Sequence, residues 1–354
     1  MVNSFSMRNF RCFRDAEVDG CTRVNVVVGD NGTGKTSLLE GLFLVRGVSP
    51  ELAVSTRSWR GLEGVHLSAE QADIWDALFS DLFFAFDTNK QALISMKGKQ
   101  DENRSVTIQM QNRTRPPSPR RDNPSVPPQT IPLRSPIRFI YKLNGEVEDI
   151  VEPEIRNSEI SFTKALGEHV NISLISANRP LSHQETLSQF SHLSQHYSDA
   201  QFVTHFSKIY PSISGISVEI AGGSPVLCAS ITGLPKKIPL SLMSSGITKL
   251  VSILLSITKQ AGGIVLIDEL ENGFHYSHLS QIWESLLSFS RHYDCQLFIS
   301  THSHECLSFA AEFAKRNPTE FAVIRVAMKK NEAQIRILDG YRFVNAVEEN
   351  IEIR

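Results

Sequence analysis

The sequence predicts an α/β fold with a central parallel sheet flanked by helices, and three stretches carry this prediction. The apolar run Val24–Val28 leads into a glycine-rich loop, after which residues 38–43 place leucine and phenylalanine at helical spacing. Ile264–Ile267 is apolar at every position, as strands buried on both faces are. An amphipathic stretch over 279–287 and an apolar strand over 297–299 follow. A strand-helix-strand order of this kind requires a right-handed crossover and a parallel sheet.

The same two periodicities predict the other elements. Alternation or short apolar runs predict strands at 4–18 (a pair), 92–96, 106–110, 137–143, 172–175, 216–220 and 226–231. Helical spacing predicts helices at 68–84, 182–207 and 250–257. Residues 113–136 are dense in proline, arginine and serine, a composition that cannot bury enough apolar surface to order itself, so a mobile loop is expected there.

The glycine-rich loop matches the phosphate-binding pattern GxxxxGK[ST]. Its glycines let backbone N–H groups face phosphate oxygens, Lys35 places a cation against the β- and γ-phosphates, and Thr36 offers a hydroxyl to Mg²⁺. The following helix presents its N-terminus to the anion. An ordinary glycine-rich turn is the alternative, but the strand-loop-helix context favours a nucleotide site. The predicted binding residues are Gly29, Asp30, Asn31, Gly32, Thr33, Gly34, Lys35, Thr36 and Ser37.

An acidic pair follows the strand Ile264–Ile267. Asp268 stands at the carboxyl end of a central strand, where ligands of open α/β sheets bind, and can hold Mg²⁺ together with Thr36. Glu269 points differently and can accept a proton from the attacking water. Switch-type GTPases use glutamine at such a place, so the pair favours ATP hydrolysis. Strand-end carboxylates that cap a helix are the alternative.

Two weaker signals lie near this pair. Ser244, Ser245 and Gly246 precede an apolar helix and can form a second anion site, although such a run is also a common turn and N-cap. His302 ends the strand that follows and can donate a hydrogen bond to a γ-phosphate, although a histidine there is often a surface residue.

The order of these four elements resembles that of ABC-type ATPases, in particular their SMC/RecF/OLD branch, often catalogued as AAA family ATPases. The similarity also includes the motifs RNFRCF at 8–13, DELENGFH at 268–275 and EIR at 352–354. It implies a P-loop NTPase fold with a mixed sheet flanked by helices, an antiparallel β/loop insertion and a helical segment. Four segments are expected: 1–90 and 213–354 form the ATPase core, 91–170 is an inserted β-meander, and 171–212 is a strand with helices.

The resemblance also implies an ATP-dependent, head-to-tail homodimer, or a higher oligomer, with ATP and Mg²⁺ as cofactors. Ser244, Ser245 and Gly246 would then act on the nucleotide of the other subunit, residues 272–275 would cross the interface, and His302 would be the switch. Two departures are present. Ile247 stands where the signature usually carries a polar residue, and no glutamine that senses Mg²⁺ is evident, the candidates being the stretch 176–179 and Gln184.

Length, charge and cysteines bound the remaining possibilities. At 354 residues and a formal charge of −2, the chain suits one large core with an inserted lobe, and its bulk charge indicates neither a nucleic-acid coat nor a membrane anchor. No apolar stretch is long enough to span a bilayer, and no secretory signal is visible. Five scattered cysteines suit a reducing compartment. A cytoplasmic protein without a membrane partner is expected.

Two side-chain clusters leave alternatives open. A set of arginines can contact nucleic-acid phosphates, but a solvated loop is favoured because no aromatic residues are interleaved for base stacking. These arginines are Arg113, Arg115, Arg120, Arg121, Arg134 and Arg138. Four histidines raise the question of a transition metal, but a histidine beside bound ATP needs none. They are His275, His278, His302 and His304.

Three functions are compatible with these features. The favoured one is an ATPase whose ATP-driven dimerisation regulates a separate effector, a nuclease or toxin, in prokaryotic antiphage (antiviral) defence. It is favoured because the chain has no long coiled coil, and the short stretch after His302 leaves no room for a nuclease domain. The alternative is a RecF-like repair ATPase that binds DNA. A transporter motor ranks third. The effector, the trigger and the choice between DNA and RNA stay open.

Overall fold

The computed structural model describes residues 1–47, 74–110, 133–134, 137–156, 159–162, 171–177, 181–195, 199–330, 332–349 and 351–353. Within these ranges, no helix combines the length and the apolar character that a membrane crossing would need.

Strands and helices alternate along most of the chain. The strands are β1 (Val2–Phe10), β2 (Phe13–Asp19), β3 (Val24–Val28), β4 (Ala92–Gly98), β5 (Asn103–Met110), β6 (Leu133–Arg134), β7 (Ile137–Leu143), β8 (Glu146–Val151), β9 (Pro153–Arg156), β10 (Glu159–Phe162), β11 (Ile172–Ile175), β12 (Ile213–Ala221), β13 (Ser224–Ile231), β14 (Ile238–Pro239), β15 (Ile264–Ile267), β16 (Gln296–Thr301), β17 (Phe321–Lys329) and β18 (Glu332–Asp339). The α-helices are α1 (Lys35–Gly47), α2 (Ile74–Phe79), α3 (His183–Gln195), α4 (Asp199–Ile209), α5 (Ser245–Lys259), α6 (Leu279–His292), α7 (His304–Arg316) and α8 (Gly340–Glu348).

The central sheet has the strand order β11-β15-β16-β3-β17-β18. Its first five strands are parallel and β18 pairs antiparallel with β17, so the sheet is mixed, as the family resemblance implies. Both faces are buried. In β3, Val26 belongs to the core on one face and Val27 to the core on the other, since successive side chains of a strand point to opposite faces. The expectations of a central parallel arrangement and of a strand Ile264–Ile267 buried on both faces are confirmed.

Each face of the central sheet has its own cover. Helices α5, α6 and α7 contribute their buried residues to the core on one face. On the other face, α1 packs against β11 and β16 and also against β1, β4 and β5. Those last three strands belong to an antiparallel sheet of order β2-β1-β4-β5-β7-β8. Helix α1, which begins at Lys35, is therefore held between two sheets.

A buried glutamine joins the two sheets. Gln296, at the start of β16, is fully buried. Its Oε1 accepts a hydrogen bond from the Val2 N–H at 2.7 Å, and its Nε2 donates to the carbonyls of Val2 at 2.9 Å and Thr22 at 2.7 Å. One side chain thus satisfies backbone groups of the first strand and of the turn before β3, which fixes β1 beside the central sheet.

Several boundaries differ from the sequence expectations. The helix expected over 68–84 is described from Ile74, ends at Phe79 and is followed by two 3-10 turns; residues 68–73 lie outside the described ranges. The single helical stretch expected over 182–207 is described as two helices, α3 and α4.

The loop expected over 113–136 also differs in its bounds. Residues 113–132 and 135–136 lie outside the described residues, whereas Leu133–Arg134 is a strand paired with β9. The loop boundary was therefore wrong by these two residues, since pairing with β9 supplies the order that their composition lacks.

The division into four segments stays a proposal. Strands from the first two segments, β1 and β4, pair directly in the antiparallel sheet.

Replacing Gln296 with leucine should lower the free energy of unfolding by at least about 2 kcal/mol, because buried backbone groups of Val2 and Thr22 would lose their partners. Urea denaturation followed by circular dichroism measures this change. The exposed Gln281 on α6 provides the control: Gln281→Leu should stay within about 0.5 kcal/mol of the parent. An equal effect of both substitutions would contradict the bridging role.

Candidate functional site

The glycine-rich loop connects β3 to α1 and has a backbone that only glycine adopts easily. Gly29, Gly32 and Gly34 have φ angles of +148°, +78° and +108°. A Cβ at Gly29 would lie 2.1 Å from the Val326 carbonyl oxygen, and one at Gly34 would lie 2.4 Å from Cys12 Sγ. The close packing of β17 and of the β1–β2 turn against the loop therefore requires glycine at both positions.

Lys35 is held inside this loop. Its side chain is buried, and Nζ donates to the carbonyl oxygens of Gly29 at 2.8 Å and Asp30 at 2.9 Å. Burial lowers the pKa of the ammonium, and the carboxylates of Glu269 and Asp268 oppose that shift. The cation is thus anchored to the loop that would carry the phosphates.

A cavity of about 510 Å³ opens beside the loop. Predicted binding residues on its wall are Asn31, Gly32, Gly34, Lys35, Thr36 and Ser37. The other three predicted residues are not among those that line the cavity: the carbonyls of Gly29 and Asp30 accept from Lys35, and Thr33 Oγ1 donates to the Asp30 carbonyl at 2.9 Å. Asp268 and Glu269 also line this cavity. The structure therefore brings the two distant motifs to one cavity.

Thr36 and Asp268 are in direct contact across 232 positions of sequence. Thr36 Oγ1 donates to Asp268 Oδ2 at 3.0 Å and lies 3.3 Å from Oδ1. Burial raises the pKa of Asp268, and the hydrogen bonds from Ser300 and Thr36 work against that shift. A hydroxyl and a carboxylate that meet at a phosphate loop form an oxygen donor set, which fits Mg²⁺.

Glu269 is held in an unusual backbone conformation. Its φ is +47°, in the left-handed region that non-glycine residues rarely occupy. Its N–H donates to Ser300 Oγ at 2.8 Å, and Ser300 Oγ donates to Asp268 Oδ1 at 2.6 Å. The Asn272 side-chain amide donates to Glu269 Oε2. One serine hydroxyl on β16 therefore orients both acidic residues, a role that sequence reasoning did not assign to Ser300.

His302 is not among the residues that line the cavity, and it contacts Glu271. The Glu271 Oε1 atom accepts from the His302 backbone N–H at 2.8 Å and from the Ser303 N–H at 3.1 Å, and it lies 2.9 Å from His302 Nδ1. The imidazole is partly exposed. Glu271 was missed as a functional candidate, and its only sequence signal is its place within the DELENGFH motif.

The predicted signature residues are not among those that line the cavity. Helix α5 begins at Ser245, and Ser244 and Ser245 are exposed. A Cβ at Gly246 would lie 2.3 Å from the Gly273 carbonyl oxygen, so the helix start packs directly on the loop that follows the acidic pair. Ile247 is buried in the core, which accounts for an apolar residue at this signature position.

A lysine on the same helix contacts the backbone of Glu269, the second residue of the acidic pair. Lys249 is buried, and its Nζ donates to the carbonyl oxygens of Glu269 at 2.6 Å and Asn272 at 3.2 Å. Burial lowers the pKa of Lys249 to about 8, and the carboxylates of Glu271 and Asp268 oppose that shift. No sequence motif predicted a role for Lys249.

Other candidates are placed elsewhere. Ser176 and Ala177 line the cavity after β11, whereas 178–179 lie outside the described residues and Gln184 is exposed at the start of α3. Arg113, Arg115, Arg120 and Arg121 also lie outside the described residues, while Arg138 pairs with Glu152.

His275 and His278, two of the four histidines singled out in the sequence, lie against aromatic rings. The rings of His275 and His278 are 6.4 Å apart, and His278 stacks on Tyr210. Among the residues that the structure describes, no group of three or more side chains of metal-binding type is present.

The fold and this cavity define an ABC-type ATPase head of the P-loop NTPase class, without a nuclease domain among the described residues. A family model described as "AAA domain, putative AbiEii toxin, Type IV TA system" matches residues 24–308, and the chain belongs to that family.

Relatives with curated names agree with this class. An "ATP/GTP phosphatase" from Helicobacter pylori is 22% identical over 346 residues, covering 86% of each chain. A "DNA replication and repair protein RecF" from Oenococcus oeni is 32% identical over 73 residues, which cover 21% of this chain and 18% of that protein.

Solved SMC heads share the fold. The SMC head bound to the C-winged helix domain of ScpA superposes with a TM-score of 0.58 and 14% identity, over 96% of this chain and 98% of that one. The Pyrococcus furiosus SMC head domain with an extended coiled coil, bound to the C-terminal domain of ScpA, gives a TM-score of 0.57 at 14% identity, over 99% and 100% of the two chains. These likenesses show the fold alone.

Lys35→Ala should weaken ATP binding by at least about 10²-fold, because the loop would lose its only cation against the phosphates. Isothermal titration calorimetry with ATP and Mg²⁺ measures the affinity. Lys259→Ala, at an exposed lysine at the end of α5, should bind ATP like the parent. Parental affinity in Lys35→Ala would contradict the assignment of the loop.

Proposed function

We propose that the protein hydrolyses ATP to ADP and phosphate at the cavity beside the glycine-rich loop. One observation supports this proposal above the others: Glu269, the proposed proton acceptor, lines the same cavity as Lys35, next to the Thr36–Asp268 contact. The relative named ATP/GTP phosphatase supports a nucleoside triphosphatase. The glutamate, in place of a water-positioning glutamine, favours ATP.

The residues divide the reaction between them. Backbone N–H groups of the loop bind the β- and γ-phosphates, and Lys35 neutralises their charge. Thr36 and Asp268 would hold Mg²⁺, and the ion would supply further positive charge at the site. Glu269 takes a proton from water as the water oxygen bonds to the γ-phosphorus. The bond from that phosphorus to the bridging oxygen breaks, ADP leaves, and the proton passes from Glu269 to solvent.

A head-to-tail dimer would complete the site. Ser244 and Ser245 are exposed and lie off the cavity wall of their own subunit, so they are free to approach the nucleotide of a second copy. Leu242 and Tyr276 flank this region and are 76% and 65% exposed, which offers apolar surface for an interface.

The wider role we propose is an ATP-dependent switch for a separate effector in prokaryotic antiphage defence. The support is the family description, which mentions a putative AbiEii toxin and a toxin–antitoxin system. The effector would be a nuclease or a toxin. A RecF-like role in DNA repair is the alternative, and the local match to RecF favours it. ATP-stimulated, salt-dependent binding to DNA would separate the two, since only the repair role requires it.

Glu269→Gln should bind ATP normally but hydrolyse it about 10²–10⁴-fold more slowly, since the amide cannot accept the proton. Phosphate release measures turnover, and light scattering with ATP and Mg²⁺ should detect an accumulated dimer. Glu312→Gln, at an exposed position on α7, is the matched control and should turn over normally. Parental turnover in Glu269→Gln would move the base elsewhere.

His302→Ala should slow hydrolysis by roughly 10- to 100-fold and change ATP affinity little. The imidazole would stabilise charge on the γ-phosphate in the transition state and would contribute little to the binding of ATP itself. Phosphate release and calorimetry provide the two readouts. His304→Ala, two residues along, is the control. Equal turnover in His302→Ala and the parent would make His302 a surface residue only.

A further inference from the structure

Lys249 is a buried cation that no step of the proposed reaction uses. It lies on α5, 5% exposed, and its ammonium is 5.8 Å from the centre of the Phe274 ring. Burying an ammonium is costly unless it is hydrogen-bonded. Here the two carbonyl oxygens of Glu269 and Asn272 accept from it. Its position is therefore set by the backbone of the loop that carries the acidic pair.

Lys249 contacts the backbone of Glu269, which is strained. A left-handed conformation costs a non-glycine residue about 1–2 kcal/mol, so neighbouring groups must maintain it. The Glu269 N–H is fixed by Ser300, and its carbonyl oxygen accepts both from Lys249 and from the Asn272 N–H at 3.0 Å. Of these partners, Lys249 alone comes from the helix that carries the signature residues.

The same helix meets this loop a second time. Gly246 packs so closely on the Gly273 carbonyl that the start of the helix has no room to move toward the loop. Lys249 adds hydrogen bonds to the same loop. Because one of them ends on the Glu269 carbonyl, a movement of α5 would change the orientation of that peptide group. The two contacts bracket the segment 269–273.

We infer that Lys249 is a positioning residue through which helix α5 sets the orientation of Glu269 in its own subunit. The inference rests on the proposed function. In the proposed dimer, the start of α5 contacts the nucleotide of the partner. Lys249 then links nucleotide binding in one site to the placement of the base in the other, and hydrolysis in the two sites becomes cooperative.

The test compares Lys249→Met, which keeps the length but removes the donor, with Lys259→Met at the exposed end of the same helix. We expect Lys249→Met to retain ATP affinity within about 2-fold, to lose at least about 10-fold in kcat with little change in KM, and to show a Hill coefficient of one. We expect the parent and Lys259→Met to show identical turnover and a Hill coefficient above one.

A double substitution identifies the residue through which Lys249 acts. In the Glu269→Gln background, adding Lys249→Met should cause no further loss of single-turnover rate, because the base that Lys249 positions is already absent. An additional 10-fold loss in that background would overturn the inference. Parental kcat and cooperativity in Lys249→Met would also overturn it, as would a fall in ATP affinity as large as the fall in turnover.

The proposed function fails separately, if the parent protein hydrolyses no nucleotide. Should Lys249→Met not fold, Lys249→Leu, whose side chain also has no hydrogen-bond donor, replaces it. The same split is expected, with lower kcat and unchanged ATP affinity, and parental kcat in this variant would overturn the inference.

Discussion

The contact between the Thr36 hydroxyl and the Asp268 carboxylate is the interaction on which the rest of this structure depends. It exists because β3 and β15 run parallel in one sheet, with β16 between them, so that the loops after both strands open at the same edge. Burial of the sheet on both faces fixes that geometry. Besides stabilising the protein, the hydrophobic core therefore brings a phosphate loop and an acidic pair from distant parts of the chain together at one cavity.

A dense group of buried ionisable residues surrounds that contact, and each is compensated. Lys35 and Lys249 place their ammonium groups on backbone carbonyls, while Asp268 accepts from two hydroxyls. Burial favours the neutral form of each group, so it lowers the pKa of the two lysines and raises that of Asp268. Nearby carboxylates oppose the shift of the lysines, and hydrogen bonds from Ser300 and Thr36 oppose that of Asp268. Such networks are costly when broken and specific when complete. Here the network orients the acidic pair through hydrogen bonds within the protein, which suits an electrostatically preorganised site.

Much of the fold was predictable because its signals are local. Val24–Val28 and Ile264–Ile267 are strands with the predicted bounds, and the hairpin of β12 and β13 forms around Gly222 and Gly223, whose positive φ angles match the tight turn. Composition alone could not show that Leu133–Arg134 pairs with β9, because strand pairing depends on a distant partner. Nor could it show that the meander shares a sheet with β1, which Gln296 helps to fix.

The sequence by itself determined the phosphate loop, the acidic pair and the family resemblance, because these are contiguous residues whose chemistry is readable at fixed spacing. Only the tertiary structure decided the roles of Ser300, Glu271 and Lys249. Each is a single residue of a common type that acts on a group far away in sequence, as when Ser300 accepts from Glu269 and donates to Asp268. No periodicity or motif encodes such a pairing. It arises when parallel strands and the helix packed on them bring their ends together, and that packing is a property of the whole core.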